Sequence, residues 1–297
     1  MEPVLGGGVE ATDFGTCVRA IDNLVGDTIY ILVSIQALLP VGVRGFASSC
    51  GAGSRETIHM LDTLPLPTFD LPRAGRALAA LLRDPDDLPQ VFTLIESMSG
   101  TSPHRLFLGM KWRKTGARLL RDRPDIVPLL ADRDGLRAMP EGSLGRAYLS
   151  FVESEGISAQ GIRDASVTGH ATPRRTAALE YVHERMRDTH DVWHATTGYK
   201  GDVVGELALL AFTLGQNWNT AIAMIIVAGL LKGLGGDELR LIVTGFRRGR
   251  AAEWFPALEW ESLLPLPVDE VRRRLKVGAP PEYTPLRTAQ LRAEGIL

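Results

Sequence analysis

The chain has 297 residues, of which 45% are hydrophobic and 23% are charged, and its formal net charge at pH 7 is -2. This composition excludes a disordered or fibrous protein, and the length allows one large core or two smaller ones. The charge balance provides no overall basic field of the kind that draws proteins onto nucleic acid, so we expect no nucleic-acid partner.

Helical patterns follow a poorly patterned N-terminal segment. Residues 1–70 are rich in Gly, Ser and short apolar runs. From Pro72 onward the apolar periodicity is helical, and Asp86 is the predicted N-cap of the second helix. Further helices, with Gly and Pro in the joints, are predicted over 103–120, 143–155, 173–197, 202–232, 237–254 and 267–275.

No alternating strand pattern competes with these helices, so the predicted fold class is all-α. We predict a single helical domain over 71–297, preceded by a variable N-terminal segment over 1–70. The role of that segment is not readable from its sequence.

Two stretches, 28–43 and 207–231, contain no formally charged residue and require a membrane test. The first is short for a membrane span. The second is long enough, but residues 216–220 interrupt it with amide and hydroxyl side chains that lipid would not satisfy. We predict that 207–231 forms a buried helix pair or a bent helix that is part of a lipid-binding interior, with a membrane span as the alternative.

The cysteines and the first residues bear on the compartment. Cys17 and Cys50 lack the spacing of a zinc knuckle or of a framework with several disulfides. A reducing compartment is the simpler interpretation, and one disulfide between them stays open. Met1 is not followed by a basic region and an apolar core, so we expect no secretory signal and a cytoplasmic location.

The most informative string begins at His190 and has the pattern HDxxHx11E. On a helix, His190 and His194 lie on nearly the same face with Cβ atoms roughly 6 Å apart, so both imidazoles reach one cation. Asp191 lies about 100° around the helix from His190, where it either ligates from the side or orients a ligand.

The same string predicts how a carboxylate joins the histidines. Gly198 and Gly201 allow the chain to turn, after which Asp202 caps a new helix and Glu206 lies one turn inside it. Two imidazoles with one or two carboxylates form a nitrogen and oxygen site suited to Zn, Fe, Mn or Co, with positions left open for substrate.

Two other interpretations of the motif stay open. On spacing alone, His190 and His194 are equally well explained as surface or capping residues, with Glu206 an unrelated helix charge. The pattern also approaches the HExxH motif of metalloproteases, in which a glutamate beside the first histidine is the general base. Here that position is Asp191, one methylene shorter, which disfavours a metal-dependent hydrolase.

At these residues the sequence resembles the ubiquinone biosynthesis family called coenzyme Q biosynthesis protein four, whose hallmark is the same HDxxHx11E pattern. The resemblance covers about residues 72 to 275. It is carried by residues 140–148, 187–194, 197–199, 204–208, 260–261 and 271–272.

The resemblance implies an all-helical protein that associates peripherally with membranes, binds a polyprenyl lipid in an apolar cavity and coordinates a divalent metal. It carries over His190, Asp191, His194 and Glu206 as metal ligands and catalytic residues. The implied reaction replaces the C1 carboxylate of a polyprenylated 4-hydroxybenzoate with hydroxyl. Because Zn is redox-inert, this outcome requires dioxygen or a redox-active metal such as Fe.

The implied partners are the polyprenylated precursor, other ubiquinone biosynthesis enzymes, a membrane surface at the inner face of the inner membrane, and a second copy of the chain. The alternative is a lipid-binding scaffold that presents prenylated intermediates to other enzymes, with a purely structural metal. The two functions separate by experiment, because loss of a structural metal takes the fold with it.

Overall fold

The structure, a computed structural model, describes residues 69–169, 176–232 and 236–293. Within these residues the chain forms α-helices and one 3-10 turn, without a strand, which confirms the predicted all-α class. The predicted N-terminal segment and its uncharged stretch 28–43 lie almost entirely outside the described residues. The domain boundary at residue 70 therefore stays a prediction.

The helices follow one another with short joints. They are α1 (Leu71–Leu81), α2 (Leu88–Met98), α3 (Ser102–Lys111), α4 (Lys114–Asp122), α5 (Val127–Ala131), α6 (Arg133–Ala138), α7 (Leu144–Glu155), α8 (Ala159–Gly169), α9 (Ala177–Asp188), α10 (His190–Thr197), α11 (Val203–Asn217), α12 (Thr220–Leu231), α13 (Asp237–Ala251), a 3-10 turn (Phe255–Ala257), α14 (Trp260–Leu263), α15 (Val268–Arg274) and α16 (Thr288–Ala293).

Three of the long predicted helices are each divided in two. The predicted helix 103–120 breaks between α3 and α4, 173–197 breaks at Thr189, and 202–232 breaks at Trp218. The last break has a local cause, because Trp218 adopts a left-handed conformation and the side chain of Asn219 accepts hydrogen bonds from the first amides of α12. The predicted N-cap Asp86 is wrong: Asp87 precedes α2, and the Asp86 carboxylate accepts a hydrogen bond from Thr288.

An aromatic cluster holds α10 and α11 in the core. The ring of Trp193 on α10 meets Phe255 edge-on at a centroid distance of 5.0 Å and meets Phe212 on α11 at 6.3 Å. Trp260 meets the other side of Phe255 at 5.0 Å. All four rings are buried. Interlocked rings of this kind fix the two helices relative to each other.

Close backbone contact fixes the opposite side of α11. A Cβ atom added to Gly245 of α13 would stand 2.3 Å from the carbonyl oxygen of Ala208, and one added to Gly249 would stand 2.1 Å from that of Phe212. Glycine is therefore required at both positions for α13 to lie against α11. Since α11 carries Glu206, this contact also positions the site.

The uncharged stretch 207–231 forms α11 and α12, as the predicted helix pair, and most residues of α11 are buried, with Leu210 and Leu214 partly exposed. On α12 the buried residues are Thr220, Ala221, Ile222 and Ile226. The expectation of a buried pair therefore holds for one side of α12 only. No helix among the described residues is long and apolar enough to cross a membrane.

Candidate metal centre

The first part of the site is the short helix α10, whose end is held by arginines from other helices. Arg272 of α15 donates hydrogen bonds to the carbonyls of Ala195 and Thr196, and Arg248 of α13 donates to that of Thr197. These carbonyls have no partner inside the helix, so cationic donors are the favourable caps. The helix ends at Gly198, whose φ of 83° is left-handed.

The second part is the start of α11, which Asp202 caps as predicted. Its carboxylate accepts hydrogen bonds from the amides of Val204 and Gly205 and from the hydroxyl of Tyr283 at 2.8 Å. A Cβ on Gly205 would stand 2.2 Å from the carbonyl oxygen of Lys200, so this turn is tightly closed. The turn delivers Glu206 to the face of α10 that carries the histidines.

Three ligand atoms converge where the two helices meet. His190, His194 and Glu206 each place one such atom so that all lie within 4.8 Å of one another. Nε2 of His194 is 3.1 Å from Oε1 of Glu206, and Nε2 of His190 is 3.8 Å from Oε2. The His194 side chain is wholly buried, whereas Glu206 is 41% exposed, so the carboxylate is accessible from solvent.

The orientation of His194 is set by two groups outside the motif. Its Nδ1 lies 3.0 Å from the backbone carbonyl oxygen of Tyr199, which requires a proton on Nδ1 and turns Nε2 towards Glu206. The ring of Phe151 on α7 stacks on the imidazole at 4.8 Å with an interplanar angle of 13°. The imidazole therefore has one well-defined position.

Asp191 lies beside His190 rather than within the three-residue cluster. Its Oδ1 is 3.3 Å from Nδ1 of His190, and its side chain is buried. This contact orients the imidazole of His190, as expected for a carboxylate behind a metal-binding histidine. The sequence left open whether Asp191 ligates or orients, and its role as a fourth ligand stays a prediction.

The electrostatics of the site couple His194 to Glu206. Burial alone would raise the pKa of Glu206, but His194 and His190 outweigh it and lower the pKa to about 2. Burial alone would lower the pKa of His194, but Glu206, Asp191 and the Tyr199 carbonyl together raise it. A proton on His194 and a charge on Glu206 therefore stabilise each other.

The chemistry of these groups fits a divalent cation. Nε2 of His194 is buried, and among the described residues the one group it faces at close range is the Glu206 carboxylate, at 3.1 Å. A buried imidazole nitrogen next to a second imidazole and a carboxylate is the donor set of Zn and Fe sites. The three residues therefore could hold a metal.

The family follows from a comparison with known proteins. A sequence model of the family described as coenzyme Q (ubiquinone) biosynthesis protein Coq4 matches residues 71–281. The chain belongs to this family. The resemblance seen in the HDxxHx11E pattern is thereby confirmed at the level of the family, and the match includes all of α10 and α11.

Fungal relatives named ubiquinone biosynthesis protein coq4, mitochondrial, are similar to this Coq4 family member. Those from Aspergillus clavatus and Talaromyces stipitatus are 32% and 34% identical over 190 residues, which is 62% of this chain and 64% and 63% of theirs. The chain thus spans less than two thirds of these relatives. The protein from Arthroderma otae is 30% identical over 268 residues, 86% of this chain and 94% of its own.

A solved structure supports the fold alone. The crystal structure of a candidate ubiquinone biosynthesis protein from Nostoc punctiforme has a TM-score of 0.55 and 22% identity, over 71% of this chain and 100% of that chain.

Sequence reasoning identified the converging residues but missed those that hold them in place. Phe151, Arg248 and the Tyr199 carbonyl are far from the motif in sequence or belong to the backbone, so no spacing signals them. Arg272 is part of the sequence resemblance, but its sequence position does not reveal that it caps the end of α10.

Proposed function

We propose that the chain is a ubiquinone biosynthesis enzyme that replaces the C1 carboxylate of a polyprenylated 4-hydroxybenzoate with hydroxyl. The observation that carries this proposal is the convergence of His190, His194 and Glu206 in a member of the Coq4 family. The names of the fungal relatives place those proteins in ubiquinone biosynthesis, which supports the same pathway for this chain.

The reaction is an oxidation as well as a decarboxylation. The carboxylate leaves as carbon dioxide, its ring carbon gains a hydroxyl oxygen, and the ring gives up an electron pair. Dioxygen is the proposed electron acceptor and is reduced to hydrogen peroxide. One water molecule completes the balance of oxygen and hydrogen atoms. An electron-rich phenolate ring is the chemical feature that makes this transfer feasible.

The motif residues are the proposed ligands of the metal. His190, His194 and Glu206 would hold a divalent metal, Zn, Fe, Mn or Co, with Asp191 as the proposed fourth ligand. When bound, such a cation supplies Lewis-acid stabilisation of negative charge on substrate oxygens.

The surrounding residues support that arrangement. The Tyr199 carbonyl and Phe151 keep Nε2 of His194 turned inward. The low pKa of Glu206 keeps its carboxylate charged at neutral pH, and its partial exposure leaves room for a substrate to approach.

The proposed cellular location and partners of the enzyme follow from the chemistry of its substrate. A polyprenylated precursor partitions into lipid, so we propose peripheral association at the inner face of the inner membrane, as a homo-oligomer in contact with other ubiquinone biosynthesis enzymes. The curated relatives carry the word mitochondrial in their names.

The test is to express variants in cells that lack this protein and to quantify ubiquinone and its carboxylated precursor by mass spectrometry. Wild type is expected to restore ubiquinone, and Glu206→Ala to leave the carboxylated precursor accumulated with helical content retained. Glu238→Ala is the matched control, because it removes a partly exposed carboxylate at the start of α13, outside the metal cluster. It is expected to behave as wild type.

The remaining outcomes separate the alternatives. Full restoration of ubiquinone by Glu206→Ala would remove this carboxylate from the chemistry. Loss of helical content in the same variant, measured by circular dichroism, would favour the lipid-binding scaffold with a structural metal.

A further inference from the structure

The residue between α11 and α12 has a backbone conformation that does not suit its side chain. Trp218 adopts a left-handed φ of 53°, at a helix end where glycine is the favoured residue. Its indole is 43% exposed, so the interior does not need the ring. Arg105 donates hydrogen bonds to the carbonyls of Asn217 and Trp218 and thereby holds this turn in place. A strained position that presents an aromatic ring to solvent points to use of the ring in binding.

Two arginines lie over tryptophan rings in this region. The guanidinium of Arg250 lies over the Trp218 indole at 5.6 Å, and that of Arg113 lies over Trp254 at 4.3 Å. Arg113, Trp218 and Trp254 line one cleft of about 240 Å³. Neither Arg113 nor Arg250 forms an ion pair with a carboxylate of any described residue, whereas Arg137 and Arg185 do. The cleft is therefore aromatic and positively charged.

An apolar surface continues from the cleft. Along α13, Leu239, Val243, Phe246 and Arg250 recur at helical spacing on one side, and Phe246 contacts Trp218 edge-on at 5.7 Å. Leu239 and Val243 are exposed, and so is Leu231 at the end of α12. The acidic residues of α13 lie in its first turn, at the opposite end from Arg250.

The helix α12 connects this surface to the metal centre. It carries no charged residue, and a Cβ on Gly229 near its end would stand 2.6 Å from Leu207, the neighbour of Glu206. The helix therefore runs back along α11 from Trp218 towards Glu206. These two residues are 12 positions apart on α11, which is about 18 Å.

We propose that Arg113, Trp218, Leu231, Val243 and Arg250, here called the Trp218 face, dock on an anionic phospholipid bilayer. The inference rests on the proposed function, because it names the surface from which a lipid substrate reaches the metal centre. Tryptophan favours the level of the lipid headgroups, and the two arginines bind lipid phosphates without first breaking an ion pair. The apolar side chains of α12 and α13 meet the acyl chains.

Flotation with vesicles tests the proposal on the full chain. Vesicles of phosphatidylcholine mixed with phosphatidylglycerol are compared with vesicles of phosphatidylcholine alone. Wild type is expected to bind the anionic vesicles and to be released by salt. Arg250→Gln and Arg113→Gln are each expected to weaken partition about fivefold. Arg137→Gln, which removes the same charge from an ion-paired residue of α6, is the control and is expected to bind as wild type.

Trp218→Gly separates binding from folding, because glycine suits the left-handed conformation and a purely structural role predicts no loss. We expect about tenfold weaker partition into anionic vesicles with unchanged thermal stability.

Metal content distinguishes the two proposals. Glu206→Ala is expected to lose metal and keep vesicle binding, and Trp218→Gly is expected to keep metal and lose vesicle binding. Wild-type binding by Trp218→Gly and Arg250→Gln would overturn the Trp218 face. So would a change in the oligomeric state of these variants without loss of vesicle binding.

Discussion

The metal centre and the Trp218 face differ in whether their side chains have partners within the fold. At the metal centre, the carbonyls that end α10 and the carboxylate that caps α11 have partners from distant parts of the chain. On the Trp218 face, the arginines have no acidic partner within the described part of the chain, and apolar side chains are exposed. The difference indicates that the first region is built for fixed geometry and the second for contact with something outside the fold.

The largest effect on stability is expected where the metal centre meets the core. Phe212→Ala removes a wholly buried ring that packs against Trp193 and Phe255. Because the cavity cannot collapse between other rings, we expect about 3–5 kcal/mol of lost unfolding free energy. Urea denaturation measures it. A loss below about 1 kcal/mol would mean that α10 and α11 are not held as described.

The next largest loss of stability is expected at the tight turn before Glu206. Gly205→Ala would place a Cβ against the Lys200 carbonyl and the Tyr283 hydroxyl, and we expect about 2–3 kcal/mol of destabilisation. Gly75→Ala is the matched control, because a Cβ there meets nothing within 4 Å in helix α1. It is expected to stabilise by about 0.5–1 kcal/mol. Equal effects of the two substitutions would contradict the close packing of this turn.

Metal affinity is expected to depend on pH through His194. Its pKa is raised, and a protonated imidazole cannot ligate, so the metal must displace a proton. Glu206, with a pKa of about 2, is ionised throughout the range. Apparent affinity should therefore rise with pH by up to about tenfold per unit below the pKa of His194 and level off above it. Calorimetric titration of the metal in buffers of different ionisation enthalpy measures how many protons are released on binding. A value near zero would contradict the ion pair between His194 and Glu206.

The smallest effect on stability is expected on the exposed side of α13. Val243→Ser removes an apolar side chain that solvent already reaches, so we expect a change within about 0.5 kcal/mol. Urea denaturation, run beside Phe212→Ala, makes the contrast between the two regions direct. A loss of about 2 kcal/mol would mean that Val243 is packed and that this side of the helix is not free to bind.

The sequence predicts the local geometry of the site but few of the contacts that hold it in place. The four-residue spacing of His190 and His194 and the cap Asp202 follow from helix geometry, which depends on neighbours in sequence. The break at Thr189 does not, because apolar periodicity runs through it and the hydroxyl of Thr189 bonds back to Arg185. Phe151 lies on α7 beyond residues 140–148, which carry the resemblance, and no spacing relates it to the histidines.

The partial burial of α12 is not predictable from the sequence for a different physical reason. A helix without charge has the same composition whether it is buried in a core or faces a partner, so composition alone favoured burial. Only the packing of α12, which buries one side against α2 and α11, distinguishes the two cases.

The central claim is that His190, His194 and Glu206 hold a divalent metal, and elemental analysis of protein purified without chelator tests it most directly. The wild-type chain is expected to contain close to one metal ion, and His194→Ala almost none. His183→Ala, which removes a histidine of α9 outside the cluster, is the control and is expected to keep the wild-type content. Equally low metal in wild type and His194→Ala would contradict the account.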